Sequence, residues 1–273
     1  TNILKEQMSA MFPIEYKSRD GLNIQGYLTV PSGTSGKNLP TVILVHGGPT
    51  SRDYWVYRAD VQLLASRGYA VLQVNFRGSW GYGKNFTTAG FKQWGKKMQD
   101  DITDGATWLV DQGVADKDKI AIFGSSYGGY SALAGVTFTP DVYACGIAYV
   151  GPSNLFTLLN NLPSYWEPEK EMLFEMIGHP VADSVLLYNA SPVFHTENIK
   201  VPLFIAQGGN DPRVRKEESE QMVDALRSRD QHVVYMLKEN EGHGFKLEEN
   251  RLEFYKAMMG FLAEQMPATS IKP

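Results

Sequence analysis

Residues 119–133 read KIAIFGSSYGGYSAL: five strand-forming residues run into two adjacent serines and out into a helical pattern. Only Ser126 has glycine at both −2 (Gly124) and +2 (Gly128); Ser125 has Phe123 at −2. A G-x-S-x-G match is weak alone, but one set between a strand and a helix forces a tight turn. Such a turn lifts its central side chain above the sheet edge, and a Cβ at either flanking glycine would collide across it. Ser126 is therefore the expected apex and Ser125 a flanking position.

The rest of the chain supplies the sheet that this turn needs. Short Val- and Ile-rich runs at Thr41–Val45, Ala70–Asn75, Lys119–Phe123, Gly146–Val150, Pro202–Ala206 and Val233–Leu237 are apolar nearly throughout, as parallel strands buried on both faces must be. Helical patterns fall between and after them at Arg58–Arg67, Asp100–Gln112, Tyr127–Phe138, Glu217–Arg229 and Asn250–Gln265. The alternation predicts an α/β fold, a doubly wound and mostly parallel sheet. Residues 14–30 alternate around Asp20-Gly21 and predict an antiparallel N-terminal hairpin at the sheet edge. Residues 151–200 carry five prolines and several aromatics, and predict short helices inserted over the sheet as a partial lid. The last residues, from Ala268, read as a frayed tail. Residues 1–273 are read as one domain.

A serine hydroxyl needs a base, and in this architecture an acid and a histidine follow the serine in loops at the carboxyl ends of later strands. Gln207-Gly-Gly-Asn-Asp-Pro-Arg-Val214 follows one such strand and Glu239-Asn-Glu-Gly-His-Gly-Phe245 the next. Asp211 and His243 are thus the candidate acid and base. His46-Gly-Gly-Pro49 follows the first core strand, so the Gly48 and Tyr127 N–H groups are candidate oxyanion donors. Each has a plainer reading: Asp211 as a turn residue, His46 as a loop fastener, His179, His195 and His232 as surface or packing residues, Cys145 as a core thiol.

Composition excludes several classes. The chain has 273 residues, 43% hydrophobic and 21% charged, with a formal net charge of −4 that offers no basic patch for nucleic acid. The glycine-rich segment Arg77–Gly83 fits neither dinucleotide nor P-loop spacing, and no metal-ligand motif is present, so no cofactor is expected. One cysteine, no signal-like start and no apolar run of membrane length predict a cytoplasmic protein without membrane association.

His46-Gly-Gly-Pro49, Asn75-Phe-Arg-Gly-Ser79 with Gly81-Tyr-Gly83, Gly124-Ser-Ser-Tyr-Gly-Gly129, Gly209-Asn-Asp-Pro-Arg-Val214 and Gly242-His-Gly-Phe245 occur in that order. With them the chain resembles the prolyl oligopeptidase family, most closely its acylaminoacyl-peptidase and dipeptidyl-aminopeptidase branch, from about Phe12 to Gln265. The resemblance implies an α/β-hydrolase fold and a serine-type peptidase with Ser126, His243 and Asp211 as triad and Gly48 and Tyr127 as oxyanion donors. It also implies an apolar pocket near Tyr127 and residues 150–166, with Tyr149, Tyr165 and Trp166 as lining candidates. Expected substrates are short peptides or N-acylated and N-terminal amino acids, with a carboxylesterase on small acyl or aryl esters as the alternative. A non-catalytic binding protein of the same fold is disfavoured because all three triad positions are intact. Peptidases of this family usually carry an N-terminal β-propeller, for which this sequence has no material. With its Thr1 start, the chain reads as an excised catalytic domain or a free-standing hydrolase. The surface a missing propeller would leave bare is a candidate for pairing with a second copy. Arg215 stands where many relatives have proline.

Overall fold

The computed structural model describes residues 8–268; residues 269–273 of the expected tail lie outside the described residues. β1 (Met11–Lys17) and β2 (Asn23–Thr29) form the predicted hairpin, and β2 runs antiparallel to β4 (Ala70–Asn75). β3 (Leu39–Val45), β5 (Ala115–Ser125), β6 (Cys145–Tyr149), β7 (Leu203–Gly208) and β8 (Val233–Lys238) continue the sheet in parallel with β4. The strand order is β1-β2-β4-β3-β5-β6-β7-β8. The chain leaves β3 toward β4 on one side and later returns to β5 on the other. The loops that follow β3 and β5 therefore diverge at one point of the carboxyl edge, the place where a crevice opens in such sheets.

The apolar pattern of each strand follows its place in the order. β3 and β4, in the middle, are buried along their whole length, whereas β1 and β8 at the edges are largely half-buried or exposed. Helices cover both faces. α1 (Ala59–Ser66) and, at the far end of the chain, α9 (Glu248–Gln265) bring Val61, Leu64, Phe254, Met258 and Phe261 onto one face with Val42, Leu44 and Phe204. On the other face lies α3 (Lys97–Asp111), whose Met98, Ile102, Ala106 and Leu109 recur at helical spacing. It is joined there by α4 (Tyr127–Phe138) and, after β7, by α8 (Lys216–Arg227). A short helix that the pattern did not mark, α2 (Lys84–Thr88), precedes α3; its five residues bury none of their number, so it carries no apolar stripe to read.

The insertion between β6 and β7 consists of α5 (Leu155–Asn160), α6 (Lys170–Ile177), α7 (Ser184–Asn189) and two 3₁₀ segments at Ser164–Glu169 and Pro192–Asn198. Only its first half overhangs the carboxyl edge of the sheet. The second half is a support: Leu187 and Ala190 are buried in the core, and the Ala190 carbonyl accepts from the Tyr130 hydroxyl at 2.7 Å. Glu218 ties the overhang to α8 by accepting the N–H groups of Ser153 and Asn154 at 3.0 and 2.9 Å.

The glycine-rich motif after β4 is a structural knot. Arg77 is buried and donates to Asp101 at 2.6 and 2.8 Å and to Asp20, in the hairpin turn, at 2.7 and 2.9 Å. The guanidinium holds the Asp20 carboxyl well below its ordinary value of 3.8. A carboxyl so depressed contributes stability that is complete above that ordinary value and is lost as pH falls toward the depressed one. The stability advantage of the native chain over Asp20→Asn is expected to be constant from about pH 5 to pH 7 and to shrink below about pH 4. Thermal melts of both proteins across that range check it; a difference that ignores pH would refute the ion pair's role.

Candidate active site

The turn between β5 and α4 takes its shape from glycines that allow backbone to touch backbone. A Cβ on Gly124 would fall 2.5 Å from the Gly128 carbonyl carbon, and one on Gly128 would fall 2.0 Å from the Val45 carbonyl oxygen. Gly129 and Gly151 meet in the same way, at 2.8 and 2.4 Å. Ser126 sits at the apex with φ 59° and ψ −120°, a left-handed conformation that non-glycine residues rarely adopt. Its N–H donates to the Tyr149 carbonyl at 2.9 Å and its carbonyl accepts from Tyr130 at 3.0 Å, so both sides of the strained residue are fastened.

Two loops meet the serine. The loop after β7 carries Asp211, whose side chain is fully buried. Its Oδ1 accepts the N–H groups of Arg213 at 2.9 Å and Val214 at 3.0 Å, while Oδ2 accepts from Gln207 Nε2 at 3.5 Å and from one closer donor. That donor is His243 Nδ1 at 2.7 Å, in the loop after β8. A carboxylate can only accept here, so Nδ1 holds the ring proton and Nε2 faces the serine as an acceptor. Nε2 lies 3.0 Å from Ser126 Oγ. The structure thus brings together Ser126, His243 and Asp211 from three strand ends.

The base loop is held by two groups outside this relay. Glu241 accepts from the N–H groups of Lys246 and Leu247 at 2.8 and 2.9 Å and from Asn250 Nδ2 at 2.9 Å. Burial opposes its charge, yet these donors prevail and hold the carboxyl below its ordinary range. The Tyr149 hydroxyl accepts the Phe245 N–H, and burial pushes its own pKa up, so it remains a neutral phenol.

A cleft of about 550 Å³, counting its open mouth, lies in front of the serine. Its walls are apolar: Trp94, Leu158, Leu162, Trp166, Leu173 and Ile177 are among them, with Arg213 at the border. The Arg213 guanidinium stands 5.8 Å from the Trp166 ring. Gly48 and Tyr127 also line the cleft, and neither of their N–H groups donates to an acceptor among the described residues. Such unpaired donors beside a nucleophile suit a developing oxyanion.

Of the three aromatic lining candidates, only Trp166 meets the cleft. Tyr149 is a correction: it points away, stacked on Phe254 at 4.5 Å, because its hydroxyl is spent on the base loop. Tyr165 is a second correction. It is 53% exposed, because the 3₁₀ turn that carries both residues puts neighbouring side chains on different sides and buries neither fully. Trp94, Leu173 and Ile177 come from segments that no motif marks, and their apolar character did not distinguish lining from core.

Tyr149 fastens the serine through its carbonyl and the base loop through its hydroxyl. Tyr149→Phe keeps the first contact and leaves the Phe245 N–H without its acceptor. It is expected to lower kcat by about tenfold with little change in KM, since loss of alignment, not of binding, is the defect. Steady-state kinetics beside a thermal melt check this; an unchanged kcat would remove Tyr149 from the machinery.

Comparison with known proteins places this chain in a lineage. Residues 55–269 match the model of the prolyl oligopeptidase family. The chain is 48% identical over 262 residues to dipeptidyl aminopeptidase BIII of Pseudoxanthomonas mexicana, a match covering 93% of this chain and 38% of that protein. It is 37% identical over 284 residues to dipeptidyl peptidase family member 6 of Caenorhabditis elegans, covering 95% and 38% respectively. Among solved structures, a puromycin-hydrolyzing peptidase of Mycobacterium tuberculosis superposes with a TM-score of 0.91 at 30% identity, over 98% of this chain and 41% of that one. The chain therefore spans about two fifths of the length of these relatives. No helix among the described residues is long and apolar enough to cross a membrane. With its mostly parallel sheet, its elbow serine and this match over most of its length, the chain belongs to the prolyl oligopeptidase family of serine peptidases.

Proposed function

We propose that this chain carries the acyl-transfer centre of a serine peptidase that acts on short peptides, releasing N-terminal or N-acylated residues. One observation carries the reading: the unbroken relay from Ser126 Oγ through His243 to a buried Asp211, at 3.0 and 2.7 Å, opening onto an apolar cleft. His243 Nε2 takes the serine proton as Oγ attacks the scissile carbonyl, and the same proton is returned to the leaving amine. Asp211 holds the ring in the Nδ1–H tautomer and stabilises the imidazolium that forms. The Gly48 and Tyr127 N–H groups receive the oxyanion of the tetrahedral intermediate. Water then repeats the sequence on the acyl-enzyme and frees Ser126.

The apolar walls favour a hydrophobic side chain on the acyl side of the cleaved bond. The names of the relatives, dipeptidyl aminopeptidase among them, support peptide substrates for this chain. The centre itself attacks esters by the same steps, and an ester leaves without the proton an amine requires. The cleavage of small acyl or aryl esters is the alternative that the measurement has to separate.

That measurement is kcat/KM on an ester and an amide with the same apolar acyl group, with Ser126→Ala as control. Turnover of both is expected, with both lost by at least about four orders of magnitude in the variant. Ester turnover with negligible amide cleavage would make this chain an esterase. Turnover that survives Ser126→Ala would overturn the centre altogether.

A further inference from the structure

Between α5 and the start of α8 runs a second groove, of about 630 Å³ with its open mouth, that the steps above do not use. It shares Leu158 and Arg213 with the cleft in front of Ser126, so the two spaces are continuous. Past that border the lining turns from apolar to polar, with Thr157, Asn161, Arg215 and Glu217. Arg213 and Arg215 are both exposed, whereas Val214 between them is buried in the core. The chain therefore holds both guanidinium groups on its outward side. Among the described residues neither makes a hydrogen bond or an ion pair; that of Arg213 lies over the Trp166 ring, 5.8 Å from its centroid.

The charges around them are engaged elsewhere. Lys216 pairs with Glu239 at 3.7 Å. Glu218 is buried, and its oxygens accept from the Ser153 and Asn154 N–H groups, the Thr157 hydroxyl and Gln221 Nε2. Glu217 is the one exposed carboxylate on the groove, and it is paired with neither arginine.

Nothing local asks for arginine at position 215. The residue precedes α8 with φ −61° and ψ 150°, torsions that proline adopts, and its N–H donates to no acceptor among the described residues. A cation at this end of a helix is opposed by the helix dipole, which suits Glu217 and Glu218 in the first turn instead. Arg215 thus stands in an unfavourable field and gains no partner within the chain. A residue that breaks local rules without an internal gain is the kind found where a partner arrives from outside.

We propose that Arg215 is a specificity-determining residue: with Arg213 beside it, it receives a carboxylate carried by the substrate residue that precedes the apolar one on the acyl side of the cleaved bond. The proposal rests on the serine-peptidase reading above, which seats that apolar side chain in the cleft. The preceding residue of an extended peptide lies only about 3.5 Å further along, and a glutamate side chain there spans the remaining distance past Leu158. A guanidinium fork matches a carboxylate in shape as well as charge, so the favoured substrate is an acidic residue followed by an apolar one.

The test measures kcat/KM on the methyl esters of N-acetyl-Glu-Leu and N-acetyl-Gln-Leu, which have nearly the same shape and differ in charge. The native protein is expected to favour the Glu ester about three- to tenfold at low salt, through KM more than kcat, because the carboxylate lies away from the reacting bond. Raising the salt is expected to narrow the preference. Arg215→Gln is expected to bring the ratio of the two esters to within about twofold of one, and Arg215→Lys to keep part of the preference. Should Arg215→Gln not fold, Arg215→Pro takes its place, since the backbone there already has proline's torsions. A native ratio near one, a ratio indifferent to salt, a neutral variant that keeps the native ratio, or a Lys variant no better than the neutral one would overturn the proposal. So would turnover of the simpler ester described above with neither of these. A native protein that turns over none of these esters and no amide would instead refute the peptidase reading, and this inference with it.

Discussion

Everything at the carboxyl edge of the sheet depends on how closely the first turn of α4 is allowed to approach. The Gly128 α-carbon faces the last carbonyl of β3, and Gly129 faces Gly151 beyond the end of β6, with no side chain between. Backbone contact on both flanks fixes where the helix starts. It also presses Ser126 into a conformation that pays for its exposure with torsional strain of about 1–3 kcal/mol. The Tyr127 N–H is free because it belongs to that first turn, where no residue precedes it in helical register. One alanine at Gly128 would have to push α4 off β3, and the serine, its N–H donor and the Gly48 loop would separate together.

The elements that could be read from the sequence are those whose burial is uniform. The central strands β3 and β4 are covered on both faces, so their apolar runs mark them, and the run at Ala70–Asn75 coincides with β4 from end to end. The start of α4 is legible because a glycine-tight turn opens it. β5 proved longer than its apolar core: its first residues, Ala115 to Lys119, are mixed in polarity because only part of that stretch reaches the interior. The candidate serine, acid and base were legible because each sits in a glycine-bearing loop at the end of a recognisable strand. Strand ends can be counted along the chain even when distances cannot.

The cleft was not legible in the same way. A wall of a pocket and a wall of a core are both apolar, and the difference between them is what the facing side lacks. Tyr149 shows the point. At the end of β6 and beside the elbow, it has every local mark of a lining residue, yet its hydroxyl is claimed by a backbone N–H from a loop that comes 96 residues later. Trp94 stands at the opposite extreme: it lies between two helices in a segment without motif, and it meets the cleft beside Leu173 and Met176 of the insertion, to whose Met176 carbonyl the nearby Lys92 N–H donates. Nothing local to either residue encodes the partner that decides its role.

The distribution of the relay along the chain also orders events in time. Ser126 leaves the central strand β5, Asp211 follows β7, and His243 follows β8, the outermost strand on that side of the sheet. The sheet can therefore assemble its middle and shape the elbow while the base is still absent from the growing polypeptide. During synthesis Ser126 emerges well before the histidine that faces it, and the loop after the last parallel strand delivers that histidine. The order of the chain thus keeps the histidine from the serine until the outermost parallel strand is in place.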